Sequence, residues 1–123
     1  MMNKNIIKDK TFAFAIRIVK LYKYMCDEKR EFTLSKQLLR SGTSVGAMVR
    51  EAEYAETTKD FIHKLSVAQK EINETIYWLA LLKETEYLES QHYDSINVDA
   101  VEIIKILTSI IKNSKKNVAK PIN

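Results

Sequence analysis

The sequence has very few of the residues that turn or interrupt a polypeptide chain. Among its 123 residues are two glycines and one proline, Pro121, near the C-terminus. A strand-rich fold needs many tight turns, and glycine and proline are the residues that usually make them. The composition therefore argues against a β-rich fold and predicts long helices, in one domain over residues 1–123.

Cysteine and long apolar runs are equally scarce. The one cysteine, Cys26, cannot form a disulfide within the chain, and its apolar neighbours suggest a small core side chain in a reducing compartment. The apolar run from Phe12 to Ile16 ends at Arg17, so it is too short for a signal peptide or a transmembrane helix. These absences predict a cytoplasmic protein that does not bind a membrane.

Apolar residues recur with helical spacing in four segments. The predicted helices cover about 9–27, 34–55, 58–84 and 94–113, and a basic tail follows over 114–123. Thr33 is the predicted N-cap of the second helix and Thr57 or Thr58 that of the third, while residues 85–93 form the longest predicted loop. Helices joined by short loops pack antiparallel, so the predicted fold is all-α, an up-down-up-down four-helix bundle.

Two helices carry more apolar surface than one bundle core can use. In the first helix, Phe12 and Ile18 lie on the predicted core face, and Phe14 and Leu21 extend the apolar surface beyond it. In the third helix, Trp78 lies on a second apolar stripe, outside the predicted core face. An apolar face outside the core predicts an oligomer. The residues predicted at its interface are Phe14, Leu21, Val67, Glu71, Glu74, Trp78 and Leu81.

Within that set, Glu71, Glu74 and Trp78 have the spacing of one surface patch on a helix. The patch has two interpretations. It is either a solvated edge beside a half-buried tryptophan, or an interface in which the carboxylates meet arginine or lysine from a neighbouring subunit.

The middle of the second helix, residues 41–47, contains small residues and poor helix formers. Small side chains at these positions would let another backbone come close. A kink or break in the helix is the alternative.

Residues that could carry catalysis are poorly placed. Di-metal bundle centres use Glu-x-x-His pairs on two helices, which Asp60 with His63 and Glu89 with His92 only approximate. His63 falls roughly opposite the core line, and the second pair falls in the predicted loop. The serines of the second helix have neither a nearby histidine nor a nucleophile elbow. We therefore predict no catalytic residue, metal or cofactor, and no enzymatic activity.

The charge is positive, +4 with a pI near 9.1, which favours polyanionic partners. Cations at spaced positions on a helix bind phosphates, although a basic strip is also what an ordinary solvated face looks like. The residues predicted to bind RNA or DNA are Lys10, Arg17, Lys20 and Tyr24 on the first helix and Lys36 and Arg40 on the second. The tail lysines would serve as a flexible arm.

The segment from Gln37 to Ala52, with a second block in the third helix, resembles the bacterial four-helix-bundle family. This family is also called the large-subunit ribosomal RNA intervening-sequence protein family. The second block consists of Asp60, Phe61, Lys64, Leu65, Ala68, Glu71, Glu74, Thr75, Tyr77, Trp78 and Leu79. The resemblance covers roughly Phe12 to Leu88, and this chain has Met48 where the family usually has asparagine.

The resemblance implies a ring-like homopentamer with no known enzymatic activity. Some members are encoded within intervening sequences of ribosomal RNA genes. A related branch, the accessory variability proteins of diversity-generating retroelements, looks like basic pentameric barrels that bind nucleic acid and a reverse transcriptase. The leading hypothesis is thus an oligomeric nucleic-acid-binding module. The alternatives are a protein-only adaptor ring for a partner such as a polymerase or reverse transcriptase, and a metal-dependent bundle enzyme.

Overall fold

Four α-helices make up nearly all of the computed structural model, which describes residues 4–119. They are α1 (Lys4–Asp27), α2 (Leu34–Glu53), α3 (Thr58–Glu84) and α4 (Ser90–Ala119). Each helix packs against its neighbour in the sequence, and α1 also packs against α4, which closes the bundle. Helices α1 and α3 therefore occupy opposite corners. The predicted all-α four-helix bundle is confirmed.

The last helix is longer than its apolar pattern predicted. It begins at Ser90 rather than near residue 94, and it continues to Ala119. The predicted basic tail is therefore wrong for residues 114–119, which are helical, while residues 120–123 lie outside the described part of the chain. Lysine is a good helix former and suits the negative C-terminal end of a helix, so the polar sequence there extends α4.

The core face of α1 differs from the one predicted. Phe14 and Leu21 are 1% and 2% exposed, whereas Phe12 is 58% exposed and Ile16 also faces solvent. Both sides of α1 are apolar, so its helical periodicity alone could not decide which side faces inward. The largest fully buried side chains of the bundle are Phe14, Ile18, Met25, Leu38, Val45, Leu65, Ile72, Leu79, Leu82, Ile96, Ile103 and Leu107.

The small residues of α2 form a close contact with α1, and α2 runs unbroken through them. A Cβ built on Gly42 would lie 2.7 Å from Cγ1 of Ile18, and one built on Gly46 would lie 3.3 Å from the backbone oxygen of Thr11. On the other side of α2, the buried hydroxyl of Thr75 donates to that of Ser41 at 2.9 Å. The predicted close approach is confirmed, and the alternative of a kink is wrong.

The start of α2 is capped by a residue that the sequence pattern did not indicate. Thr33 makes no capping bond with its side chain. Instead the carboxylate of Glu31, which is 8% exposed, accepts hydrogen bonds from the backbone N–H groups of Thr33, Leu34 and Ser35 at 2.7–3.1 Å. Burial raises the pKa of Glu31, but these donors together outweigh burial and hold its pKa below the ordinary value.

The start of α3 follows the predicted pattern. The hydroxyl of Thr57 accepts a hydrogen bond from the backbone N–H of Asp60 at 3.0 Å, so Thr57 is the N-cap. Asp60 adds a negative charge to the first turn, where the helix dipole favours it. None of the helices described has an apolar stretch long enough to cross a bilayer.

Candidate nucleic-acid and subunit interfaces

Two cations predicted to bind phosphate on α1 are held by acids of α4. The ammonium of Lys10 lies 3.0 Å from Glu102. The guanidinium of Arg17 lies 2.8 Å from Asp99 and donates to the hydroxyl of Ser95 at 3.0 Å. These contacts neutralise the seam between α1 and α4. Lys10 and Arg17 are therefore compensated by acids of the same chain, and their binding to phosphate stays a prediction.

Arg40, the predicted phosphate ligand of α2, is also paired within the chain. Its guanidinium contacts Glu71 at 3.2 Å and makes a shorter hydrogen bond to Glu74. Trp78 donates from Nε1 to the same Glu74 carboxylate at 2.9 Å. The hydrogen bond from Arg40, followed by that from Trp78, lowers the pKa of Glu74, and the bond to Glu74 raises the pKa of Arg40. These carboxylates are satisfied within the chain and do not need a cation from a neighbouring subunit, and their place at a subunit interface stays a prediction.

The other three residues predicted to bind nucleic acid are accessible to a ligand. Lys20 and Lys36 are exposed and form no ion pair with any described residue. Tyr24 is 44% exposed, and the ammonium of Lys29 lies 5.9 Å from the centroid of its ring. These three positions keep the chemistry that the sequence suggested for them.

A stronger group of free cations lies on the C-terminal half of α4. Lys105, Lys112, Lys115 and Lys116, here called the α4 lysine strip, are all exposed and form no ion pair within the described residues. No acidic residue follows Glu102 on this helix. The spacing from Lys105 to Lys112 and Lys116 places these three on one side of α4. The sequence predicted a flexible tail for the later lysines and therefore did not indicate this strip.

Apolar side chains outside the core form one face on α1 and another on α3, at opposite corners of the bundle. The α1 face consists of Phe12 and Ile16 and borders a groove against α2 with a volume of about 230 Å³. Arg50 lies at this groove, with its guanidinium carbon 6.0 Å from the centroid of the Phe12 ring. The α3 face consists of the exposed Tyr77 and the partly buried Val67, Trp78 and Leu81.

The burial of Phe14 and Leu21 removes them from the predicted subunit interface. Both side chains are enclosed by their own chain, and the apolar surface that α1 offers to a neighbour is instead made by Phe12 and Ile16. The two Asp/Glu-His pairs are far apart in the bundle. Asp60 and His63 lie at the start of α3, while Glu89 and His92 lie at the start of α4. Within the described residues no group of three or more metal-binding side chains comes together.

Comparison with known proteins identifies the group to which the chain is related. No curated protein matches it. A crystal structure of a protein of unknown function from the S23 ribosomal protein family of Bacteroides thetaiotaomicron superposes with a TM-score of 0.89 at 58% identity. The match covers 90% of this chain and 99% of that one. The sequence model of the 23S rRNA-intervening sequence proteins matches residues 3–109, and the chain therefore belongs to that family.

Proposed function

We propose that the protein is a non-catalytic, homo-oligomeric module that binds nucleic acid through its phosphate backbone. The α4 lysine strip is the observation that carries this proposal. Three of its lysines, Lys105, Lys112 and Lys116, extend along about 16 Å of one helix face. Without acidic partners, these ammonium groups are free to bind phosphates and release the counterions condensed on the nucleic acid.

The two apolar faces support assembly into a ring. The α1 face and the α3 face differ in composition and lie at opposite corners, so one copy can pack its α3 face on the α1 face of the next. Such head-to-tail contacts close into rings when the rotation between copies allows it. Five copies, the number that the family resemblance implies, would repeat the α4 lysine strip five times around the ring.

Repetition matters because one copy has a net charge of only +4. Each phosphate contact contributes about −0.9 to the slope of log affinity against log salt for duplex DNA. A single strip therefore gives a slope of roughly −3, and several strips bound to one nucleic acid give a proportionally steeper slope. Since backbone contacts carry no sequence information, binding through the strip itself should show little sequence preference.

Reversal of the strip tests the proposal. Binding of labelled RNA and DNA is measured by fluorescence anisotropy over a salt series for the wild type and for a variant carrying Lys105→Glu, Lys112→Glu and Lys116→Glu. This variant has a net charge of −2, since each reversal lowers +4 by two. We expect it to lose affinity and to show a flatter salt slope.

A charge-matched control separates the strip from overall charge. The control carries Lys23→Glu, Lys59→Glu and Lys83→Glu, which also lowers the net charge to −2 but spreads the reversals over α1 and α3. Equal losses in the two variants would mean that the strip has no special role. If the wild type binds neither RNA nor DNA at about 50 mM salt, where phosphate contacts are strongly favoured, nucleic-acid binding itself is refuted.

The second candidate is a protein-only adaptor ring. The observation that favours it is a small apolar patch on the first half of α4, where Val98 is 66% exposed and Val101 is 37% exposed. Neither valine belongs to the two faces assigned to the ring. This patch would then be the surface that contacts a protein partner. Val98→Glu would abolish binding of that partner while leaving the ring intact.

A further inference from the structure

A cleft of about 100 Å³ lies at one end of the bundle, where the last turns of α1 meet the start of α4. Its lining residues are Tyr24, Tyr87, Leu88, Glu89 and His92. We propose that this cleft binds one unpaired nucleobase of a single-stranded nucleic acid, with a preference for guanine. The inference deepens the proposed function and rests on it.

The aromatic side chains of the cleft are unusually open. Tyr24 and Tyr87 are 44% and 36% exposed, and His92 is exposed as well, whereas Leu88 is 4% exposed and provides an apolar floor. Unpaired bases are bound by stacking on such rings, because every base has an aromatic face. A base inside a duplex is already stacked and cannot enter. The cleft therefore selects single strands.

Two lysines lie close to Tyr24 and can contact the phosphates of a bound strand. The ammonium of Lys29 lies over one face of the Tyr24 ring, 5.9 Å from its centroid, so a base stacks on the face that Lys29 leaves uncovered. Lys20 precedes Tyr24 by one helical turn, is exposed and has no acidic partner in the described residues. Phosphate contacts of this kind hold the strand while the base occupies the aromatic site.

Glu89 gives the cleft its base preference. Its side chain is exposed, lines the cleft and forms no ion pair within the described chain. An ionised carboxylate only accepts hydrogen bonds. Guanine presents two adjacent donors on its Watson–Crick edge, N1–H and the 2-amino group, which match the two carboxylate oxygens. The same negative charge keeps phosphate out of the cleft and directs it toward the lysines.

The cleft is separate from the other proposed surfaces. It lies outside the α1 face and the α3 face, so assembly through those faces leaves it open. The α4 lysine strip begins more than three helical turns beyond His92 along α4. Loss of the cleft can therefore be distinguished from loss of backbone binding.

The test compares single and double strands. Anisotropy is measured with a labelled single-stranded RNA of mixed sequence, the same sequence as single-stranded DNA, and the matching duplex, each with the wild type, Tyr24→Ala and Tyr87→Ala. Stacking on one aromatic ring is strong enough that we expect each variant to bind single strands about tenfold more weakly. Duplex affinity should not change. Tyr24→Phe, which keeps the ring, should retain wild-type affinity.

Tyr54→Ala serves as the matched control. Tyr54 is 78% exposed and follows α2 at the other end of the bundle, so its removal should leave all three affinities unchanged. If Tyr24→Ala and Tyr87→Ala bind single strands as tightly as the wild type does, the cleft assignment is overturned while backbone binding stands. If the wild type binds nothing, the proposed function falls and the cleft assignment falls with it.

The base preference has its own measurement. Two single strands that differ only by guanine or adenine at one central position are compared with the wild type and with Glu89→Gln. We expect tighter binding of the guanine strand by the wild type and a loss of that difference in Glu89→Gln. Equal affinity of the wild type for both strands would overturn the guanine assignment.

Discussion

Gly42 of α2 lies directly against Ile18 of α1, so closely that a Cβ at position 42 would be 2.7 Å and 2.8 Å from the two branches of the isoleucine. Ile18 is fully buried and cannot move aside without disturbing the core. Glycine costs a helix about 1 kcal/mol relative to alanine. Its presence here is explained by the approach of the two helices.

Gly42→Leu should therefore destabilise the protein by about 1–3 kcal/mol through overpacking, despite the better helix propensity of leucine. Urea titration followed by circular dichroism measures the loss. Lys36→Leu, an exposed change on the same helix, is the control and should be nearly neutral. A Gly42→Leu protein as stable as the wild type would mean that the close contact does not exist.

The cap of α2 predicts a dependence of stability on pH. The pKa of Glu31 is lower in the folded protein than the ordinary 4.5, so folding favours its ionised form. The stabilisation is present above the unfolded pKa and is lost as the pH falls through the lower folded pKa. Glu31→Ala should cost about 1 kcal/mol at neutral pH, the usual contribution of a capping side chain. The cost should shrink well below pH 4.5.

Denaturant titrations at neutral and acidic pH measure both parts of this prediction. Glu28→Ala provides the control, because Glu28 is exposed and its side chain caps no helix. A Glu31→Ala deficit that is equally large at both pH values would contradict the assignment of the carboxylate as the cap.

Assembly should depend on one residue from each apolar face. Trp78→Glu and Phe12→Glu should each give a helical protein of smaller mass in light scattering, because a buried charge at a subunit interface is strongly unfavourable. Phe12 is 58% exposed, so its replacement tests the interface with little effect on the core. Val98→Glu, on neither face, should leave the mass unchanged. A wild-type protein that is monomeric would refute the ring.

Arg17 and Lys20 should behave differently although they are close in sequence. Arg17 is paired with Asp99, so Arg17→Gln should lower stability by about 1 kcal/mol or less and change nucleic-acid affinity little. Lys20 has no acidic partner in the described chain, so Lys20→Gln should weaken binding without affecting stability. Nucleic-acid affinity is measured by anisotropy and stability by urea titration for both variants, so each variant serves as the control for the other. The reverse pattern would show that the ion pair with Asp99 opens in the complex.

The fold could be predicted from local sequence patterns, and the errors in that prediction also have a local cause. The spacing of apolar residues predicts four helices, and the sequence offers Thr57 or Thr58 as the cap of the third, of which Thr57 is the one observed. The inward side of α1 was not predictable, since Phe12 and Phe14 are equally apolar and only packing against α2 and α4 distinguishes them. The sequence does not indicate Glu31, because Thr33 matches the common capping pattern and Glu31 lies before it.

The candidate site was less predictable, because the charge available to a ligand depends on long-range pairs. Nothing near Arg17 in the sequence indicates that Asp99 will neutralise it, and the same holds for Arg40 and Glu71. Only the folded arrangement separates compensated cations from free ones. The lysines of α4 stand out because the last two acids of that helix, Asp99 and Glu102, are paired with cations of α1.

Because His92 of the proposed base cleft and the α4 lysine strip lie on the same helix, the length of α4 would set the reach of a nucleic acid that binds both. His92 and Lys105 are separated along it by about 20 Å, at 1.5 Å per residue. At about 100° per residue, the strip also lies on a different side of α4 from His92. A mononucleotide can occupy one site or the other but cannot bridge them, whereas a strand long enough to pass partly round the helix can engage both at once. Once one site is bound, the second contact forms within the same complex, and the high effective concentration of the tethered strand strengthens binding. The spacing of the two sites along α4 would therefore make affinity depend on the length of the nucleic acid, independently of its base sequence.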